Sequence, residues 1–262
     1  MCIRDRGKST LLKMLDGLVF PTSGAIRAFG APLTEDALED PAYRRDFRAR
    51  VGFVFQEADV QLFCSNAYDE LAFGPLQLGL AREEVERRVH EAAQQLRIEQ
   101  LLDRAPYTLS GGEKKRVAIA SVLTMQPHVL LLDEPTNALD PRSQVWLLDV
   151  LEDWRSEGRT VVMATHDLTA AAESADRIVV LSEDHAIVAD GTPEDVLAQR
   201  DLLLAVNLIH SSTSIHTGTP RPPTGTLTLT QRAPTPISRT GTEAALRCHR
   251  SGQWPRRGRR VR

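Results

Sequence analysis

The chain has 262 residues, of which 42% are apolar and 5% aromatic, with 32 basic and 35 acidic side chains, as is typical of a globular protein of one or two domains. No apolar run approaches the roughly 18 residues that a membrane-spanning helix needs, and the first residues do not resemble a signal peptide, so we expect a protein that is neither secreted nor integral to a membrane. Three cysteines without a C-x-x-C pair offer neither a disulfide framework nor a zinc site, which favours a reducing cytoplasm.

The charge is distributed unevenly along the chain. Residues 1–210 carry 22 basic and 34 acidic side chains, a net charge of −12, whereas residues 211–262 carry ten Arg and one Glu, a net charge of +9. From about Ser211 onwards Thr, Pro, Ser, Gly and Arg predominate without helical or strand periodicity, which predicts a disordered tail. A basic run without lysine is more typical of solvated chain than of a nucleic-acid contact. We therefore expect a folded domain over 1–210 and a disordered basic tail over 211–262.

The first motif in chain order is Gly7-Lys8-Ser9-Thr10, followed by leucines at helical spacing and by Gly17 as a helix stop. It matches the second half of the phosphate-binding loop G-x-x-x-x-G-K-[ST]. In that loop, backbone N–H groups and a helix N-terminus hold phosphate, the lysine reaches the β- and γ-phosphates, and the hydroxyl binds Mg²⁺. The half-motif alone is a weak indication, because four residues recur by chance. The first glycine of the loop would fall at position 2, where this chain has Cys2.

Short β-branched runs alternate with longer amphipathic stretches through the body of the chain. The strand runs are apolar almost throughout, as expected for a parallel sheet that helices cover on both faces. Between about 60 and 124 the pattern is mostly helical, which predicts a helical insert. The fold class is therefore α/β, a parallel sheet flanked by helices with an inserted helical subdomain. The predicted strands are 51–55, 129–132, 160–164 and 177–181, and the predicted helices include 82–97, 142–155 and 168–174.

Three of the predicted strands are followed directly by polar side chains. Gln56 follows the first, Asp133 and Glu134 follow the second, and His166 comes two residues after the third. The carboxyl ends of parallel strands share one edge, where open α/β sheets bind ligands, so an amide, two carboxylates and an imidazole are expected to meet there. A lone Asp or His after a strand is more often a helix cap, but three such endings together favour a functional edge.

The segment Leu109-Ser110-Gly111-Gly112-Glu113 precedes a helix predicted over 117–125, and it has two interpretations. Ser110 and Glu113, three positions apart, can form a capping box at a helix start. A helix N-terminus lined by glycines also presents bare N–H groups, which make an anion site. The segment by itself does not decide between the two interpretations.

Taken together, these motifs resemble an ATP-binding cassette (ABC) ATPase over residues 7 to about 209. Six motifs in the family's order and spacing make the resemblance highly specific. Residues 54–63 and 72–80 further resemble the energy-coupling-factor type of vitamin and metal-ion importers, closest to the cobalt/nickel branch, which 206–210 also resembles. The six motifs are Gly7-Lys8-Ser9-Thr10, Gln56, Leu109-Ser110-Gly111-Gly112-Glu113, the run 129–136 with Asp133 and Glu134, Ala138-Leu139-Asp140, and His166.

The resemblance implies a P-loop NTPase fold that binds ATP and Mg²⁺. Lys8 would neutralise the β- and γ-phosphates, and Ser9, Gln56 and Asp133 would hold Mg²⁺. The nucleotide-binding residues that it implies are Gly7, Lys8, Ser9, Thr10, Gln56, Ser110, Gly111, Gly112, Glu113 and Asp140.

The resemblance also implies two catalytic residues. Glu134 would act as the general base, and His166 would contact the γ-phosphate and sense its loss. Phosphoryl transfer needs positioned cations and an oriented water more than covalent help, which suits these residue types.

The implied assembly is a head-to-tail dimer, formed with itself or with a paralogue, that buries two ATP molecules between its subunits. Ser110, Gly111 and Gly112 would close on the ATP of the opposite subunit, with Asp140 at the seam. A transmembrane coupling subunit would dock near residues 56–80, beside a substrate-binding membrane subunit, and no nucleic-acid partner is expected. The protein would lie peripherally on the cytoplasmic face of the membrane and power import of a small solute, cobalt or nickel ions in the closest branch.

The chain departs from the family ahead of Gly7. Family members carry there a strand, an aromatic residue that stacks on adenine, and a glycine-rich loop, in place of which this chain has Cys2-Ile3-Arg4-Asp5-Arg6. We hypothesise that the first six residues and the tail after about Ser211 are not native to the gene.

Two alternatives stay open. One is a non-transport ABC ATPase of DNA repair or translation, against which stand the single cassette and the 53 positions from Gln56 to Leu109, too few for a long coiled coil. The other is an inactive or regulatory nucleotide-binding fragment, which the incomplete phosphate loop favours.

Overall fold

The computed structural model describes residues 6–209. Three parts of the sequence named above lie wholly or partly outside the described residues: the predicted tail over 211–262, the end of the 206–210 segment, and most of the segment ahead of Gly7. Ten helices and seven strands are assigned within 6–209, besides three short 3₁₀ turns at 58–60, 99–101 and 106–108. In chain order they are α1 (Lys8–Leu15), β1 (Arg27–Ala28), β2 (Ala31–Pro32), α2 (Glu35–Glu39), α3 (Pro41–Arg50), β3 (Val51–Val54), α4 (Ala67–Gln77), α5 (Arg82–Gln95), α6 (Gly111–Leu123), β4 (Val129–Asp133), α7 (Pro141–Ser156), β5 (Thr160–Ala164), α8 (Leu168–Ser174), β6 (Ile178–Leu181), β7 (Ile187–Gly191), α9 (Pro193–Leu197) and α10 (Arg200–Ala205).

The central sheet is parallel, with the strand order β3-β4-β5. Val51 lies opposite Val129, and Val129 opposite Thr160, so the three strands begin at the same level and end at the same edge. All of β3 and nearly all of β4 is buried, which explains why their sequences are apolar without alternation. The predicted α/β fold with a parallel sheet is confirmed.

The last predicted strand does not join this sheet. β6 pairs antiparallel with β7, because the chain reverses over residues 182–186 and places β7 directly beside β6. The Ser182 N–H donates to the Ala186 carbonyl at 2.9 Å, and His185 has a φ of 62°, the left-handed conformation that a tight reversal needs. A short reversal of this kind is compatible only with antiparallel pairing.

The region from 67 to 123 is helical, as its sequence pattern predicts. α4, α5 and α6 pack on one another and on β3 and β4 through one large apolar core. The predicted apolar face of the 82–97 helix is fully buried, and it consists of Val85, Val89, Ala92, Ala93 and Leu96. Among residues 6–209, no helix combines the length and apolar character that crossing a membrane requires.

A second core lies under α1 and α3. Leu12 of α1, Phe47 of α3 and Leu131 of β4 meet there and are almost completely buried. At the end of α1, Arg48 Nη1 donates to the Asp16 carbonyl at 2.8 Å and to Asp16 Oδ2 at 2.7 Å. Burial nevertheless raises the pKa of Asp16 to about 6, because it outweighs the attraction of Arg48.

Candidate functional site

A cavity of about 790 Å³ opens at the carboxyl edge of the central sheet, and α1 begins at this cavity. It contains one residue or more from each of the three predicted strand endings and from the Gly-Lys-Ser-Thr motif, so the structure brings these together as predicted. Its lining consists of Lys8, Ser9, Gln56, Glu57, Ala58, Asp59, Gly111, Lys114, Lys115, Asp133, Glu134, Asn137, Ala138, His166 and Leu208.

The start of α1 is built to leave its backbone N–H groups free. Gly7 precedes the helix with a φ of 81°, a left-handed conformation that suits glycine, and no side chain within the described residues 6–209 caps the helix. Lys8 and Ser9 of the first turn line the cavity, whereas Thr10 is exposed and does not. Free N–H groups and the positive end of the helix dipole favour an anion at this end of the cavity.

Glu134 lies at the centre of a three-residue contact. Lys8 Nζ donates to Glu134 Oε1 at 3.0 Å, and His166 Nδ1 is hydrogen-bonded to Glu134 Oε2 at 2.9 Å. Burial raises the pKa of the Glu134 carboxyl, but the hydrogen bonds and charges of His166 and Lys8 outweigh it and hold that pKa below its usual value. The two predicted catalytic residues, Glu134 and His166, are therefore in direct contact.

The backbone of Glu134 fixes where its carboxylate points. Its φ is 47°, in the left-handed region that is uncommon for residues other than glycine. Its N–H donates to the Ala164 carbonyl at 2.9 Å, and its own carbonyl accepts from the Asn137 N–H at 3.2 Å. The residue thus extends the β4–β5 ladder by one hydrogen bond and starts the following turn.

Asp133 supplies the oxygen that a metal ion would need. The residue is buried, and its Oδ1 has no hydrogen-bond partner in the described part of the chain, which is costly for a carboxylate unless a ligand meets it. Ser9 and Gln56 line the same cavity, and hydroxyl, amide and carboxylate oxygens are the ligands that Mg²⁺ prefers. Mg²⁺ usually takes one or two carboxylates plus phosphate oxygens, so these residues fit it. No cluster of three or more His, Cys, Asp or Glu that could hold a metal occurs within 6–209.

The Ser110–Glu113 segment forms the predicted capping box. The Ser110 N–H donates to Glu113 Oε2 at 2.8 Å, and the Glu113 N–H donates to Ser110 Oγ at 3.4 Å. The Ser110 hydroxyl also donates to Glu113 Oε2, at 2.9 Å, and the hydrogen bonds from the Ser110 N–H and hydroxyl hold the pKa of Glu113 below its usual value. Gly111 lines the cavity, whereas Ser110, Gly112 and Glu113 do not.

Asp140 also acts as a helix cap and does not line the cavity. Its Oδ1 accepts from the N–H groups of Arg142 and Ser143 at the start of α7. Ala138, of the same sequence motif, does line the cavity, and so does Asn137, which was not identified from the sequence.

Lys115 is a further residue that sequence reasoning missed. It is 2% exposed, and its Nζ donates to the carbonyls of Phe55 and Gln56, each at 2.9 Å. Burial lowers the pKa of the Lys115 ammonium to about 8, against the opposing attraction of Asp133 and Glu134. A signal was available, because Lys115 stands four positions before Ile119 and so on a buried face of α6.

Three aromatic side chains lie within 56–80, where a coupling subunit is expected to dock, and they differ in exposure. Phe63 is 67% exposed and Phe73 43% exposed, and their rings meet edge to face at 4.9 Å. Together with the exposed Val60 and Leu76 they form what we call the apolar patch. Tyr68, in contrast, packs against the main core.

The comparisons with known proteins agree with this geometry. The family described as "ABC transporter" matches residues 6–137. The nickel import ATP-binding protein NikO of Rhodobacter capsulatus is 52% identical over 206 residues, which cover 78% of this chain and 81% of that protein.

Two solved structures show the same similarity. CbiO1 from Clostridium perfringens, part of the ABC transporter complex CbiONQ, is 35% identical with a TM-score of 0.65, over 79% of this chain and 81% of that one. The ATP-binding cassette MJ0796, solved as a dimer in a post-hydrolysis state with ADP and Pi, is 28% identical with a TM-score of 0.65, over 72% of this chain and 81% of that one.

Proposed function

This chain belongs to the ABC transporter family and is an ATPase domain of that family, and we propose that it powers the import of nickel or cobalt ions through partner membrane proteins. The observation that carries the enzymatic part is the contact of Glu134 with Lys8 and His166, next along the chain to Asp133, whose Oδ1 has no hydrogen-bond partner among residues 6–209. The name of NikO, a nickel import ATP-binding protein, supports nickel, and the resemblance of this sequence to the cobalt/nickel branch is the reason for including cobalt.

Binding of the triphosphate is proposed to use the N-terminal end of α1. The free N–H groups of its first turn and the Lys8 ammonium supply positive charge where the β- and γ-phosphates would lie. Ser9, Gln56 and Asp133 would hold Mg²⁺, which when bound neutralises phosphate charge.

Glu134 is proposed to take the proton of the attacking water. Its lowered pKa keeps it ionised at neutral pH, as a general base must be. In this structure Lys8 occupies one of its oxygens, and the phosphates offer Lys8 a more highly charged partner. Release of Lys8 frees that oxygen to accept a proton, while His166 remains at the other oxygen, near the expected γ-phosphate.

Dimerisation is supported by the residues that remain outside the cavity. Ser110, Gly112, Glu113 and Asp140 do not line it, although the family resemblance assigns them to nucleotide binding. We propose that they act on the ATP of a second subunit, as in a head-to-tail dimer. The MJ0796 cassette forms a dimer with ADP and Pi bound.

The apolar patch is the proposed contact for a transmembrane coupling subunit, which would hold the protein on the cytoplasmic face of the membrane beside a substrate-binding subunit. Four exposed apolar side chains on neighbouring segments are unusual on a surface that faces only water. Asp59 is exposed nearby, and Lys114 Nζ already pairs with it at 2.6 Å.

The enzymatic proposal is tested by Mg²⁺-dependent ATP hydrolysis of the purified chain, measured beside a version that begins with a strand and a complete glycine-rich loop. We expect phosphate release that EDTA abolishes and that Glu134→Gln lacks. Nucleotide binding without turnover in both versions would instead favour an inactive or regulatory binding domain.

The substrate is tested separately in cells that carry the membrane subunits of a nickel or cobalt importer but lack its ATPase subunit. Expression of this chain is expected to restore accumulation of radioactive Ni²⁺ or Co²⁺, and Glu134→Gln is expected not to. An active ATPase that restores neither metal would refute the substrate and leave the ATPase proposal standing.

A further inference from the structure

Lys115 is buried inside the domain, where lysine is rarely found. Its ammonium forms no ion pair among residues 6–209, and it donates only to the carbonyls of Phe55 and Gln56. Burial of an ammonium is unfavourable unless hydrogen bonds compensate it, so a lysine at a position that an apolar side chain could fill points to a specific role for its donors.

The two carbonyls belong to the segment that carries Gln56 into the cavity. A second side chain, Gln61, fixes the same segment from the other side. Gln61 Oε1 accepts from the Phe55 N–H at 3.1 Å, and its Nε2 donates to the Ala118 carbonyl of α6 at 2.7 Å. Residues 55–61 are therefore attached to α6 by Lys115 at one end and by Gln61 at the other.

α6 in turn begins at the cavity. Gly111, its first residue, lines the cavity, as Gln56 does. Lys115, one turn into the helix, connects α6 to the residues that follow β3. Its hydrogen bonds therefore fix the position of Gln56 relative to the start of α6.

We propose that Lys115 is a positioning residue for ATP hydrolysis, whose ammonium fixes the carbonyls of Phe55 and Gln56 and so holds the Gln56 side chain in place at the cavity. The proposal rests on the proposed ATPase function. It assigns Lys115 no contact with ATP, so its effect is on the rate of hydrolysis and not on nucleotide affinity.

The test compares Lys115→Met with Arg116→Met in the full chain. Both changes remove one positive charge from α6, but the Arg116 side chain donates to the Arg97 carbonyl, at 3.5 Å, whereas Lys115 donates to the carbonyls of Phe55 and Gln56. We expect Lys115→Met to lower kcat by ~10- to 100-fold, the effect of a small misplacement at a reacting centre, with the Kd for ATP changed less than about threefold. Arg116→Met is expected to keep the kcat of the unaltered chain. Equal kcat in the two variants would overturn the proposal.

A double variant separates positioning from general damage to the fold. If Lys115 acts through Gln56, then Lys115→Met in a Gln56→Ala background lowers kcat no further. Multiplication of the two separate losses would overturn the proposal. Lys115→Gln, which keeps a neutral amide donor, is expected to recover part of the lost rate and provides the variant to use if Lys115→Met does not fold.

Hydrogen exchange tests the attachment without any need for activity. In Lys115→Met or Lys115→Gln, the amides of 55–61 are expected to exchange ~10-fold or more faster than in Arg116→Met, because opening of this segment becomes easier. Unchanged exchange would overturn the proposal. If the unaltered chain hydrolyses no ATP while the Lys115 variants still exchange faster than Arg116→Met, the proposed function is refuted but the attachment of 55–61 by Lys115 is not.

Discussion

Replacing Glu134 with Gln tests both the general base and the contact that holds it. The change keeps the size of the side chain and removes one negative charge from between Lys8 and His166. We expect turnover to fall by about 10² to 10⁴, the usual contribution of a positioned base. Nucleotide affinity is expected to rise, because the phosphates no longer compete with an anionic side chain for Lys8.

The size of the affinity change follows from the Lys8–Glu134 contact. Its two atoms are 3.0 Å apart, and the side chains are 23% and 10% exposed. A hydrogen bond to a charged group contributes about 1.5 to 3 kcal/mol net, and Gln would retain the weaker part of it as a neutral acceptor. A difference of about 1 kcal/mol corresponds to a Kd lower by about fivefold.

The assay is titration calorimetry with a non-hydrolysable ATP analogue and Mg²⁺, combined with phosphate release from ATP. Glu91→Gln, an exposed change on α5 at a residue paired with Arg87, serves as the control and should alter neither quantity. Unchanged turnover in Glu134→Gln would remove Glu134 as the base. A Kd raised tenfold would refute the competition between Glu134 and the phosphates for Lys8.

Two further predictions concern stability. Asp16 has a pKa of about 6 when folded against an ordinary 3.8, so its contribution to stability is fully present below pH 4 and is lost as the pH rises through 6. Between pH 4 and pH 7.5, the free energy of unfolding of Asp16→Asn should therefore rise by about 3 kcal/mol relative to that of the unaltered chain. Urea unfolding measures this difference, and a difference that does not change with pH would contradict the prediction. A Cβ on Gly52 would overlap the stiff Val122 side chain, whereas one on Gly74 would lie 2.7 Å from the flexible Met125. In the same assay the free energy of unfolding should fall by about 1 to 3 kcal/mol in Gly52→Ala and by clearly less in Gly74→Ala. Equal losses would refute the packing argument.

The sequence predicted the central sheet well because all of β3 and nearly all of β4 are buried, and β5, although only partly buried, has a similarly apolar sequence. Continuous apolar runs marked β3, β4 and β5, whose observed ends lie within one residue of the predicted ones. The pairing of β6 was not predictable from its own sequence, since its partner β7 begins with the exposed Ile187 and has no clear apolar pattern. Strands of two residues, such as β1 and β2, are too short for any periodicity to indicate them.

The site was predicted where chemistry and position coincide. Glu134 directly follows β4 and His166 comes two residues after β5, so parallel pairing alone brings their backbones to one edge, and the structure adds the direct contact. Lys115 was missed because its role depends on a tertiary contact with the end of β3, about 60 positions earlier in the chain. Asn137 was missed because loop residues reach a cavity through turn geometry that residue types alone do not specify.

The left-handed backbone of Glu134 also limits how this gene can lose activity over evolutionary time. A φ of 47° is tolerated by Asn, Asp and Gly but is strained for Val, Ile or Thr. A change of Glu134 to Asn or Gly would therefore remove the carboxylate and keep the turn after β4, so we expect a copy with that change to stay folded while inactive. A change to a β-branched residue would add about 1 to 3 kcal/mol of backbone strain to the loss of the carboxylate, so we expect that copy to be less stable as well as inactive.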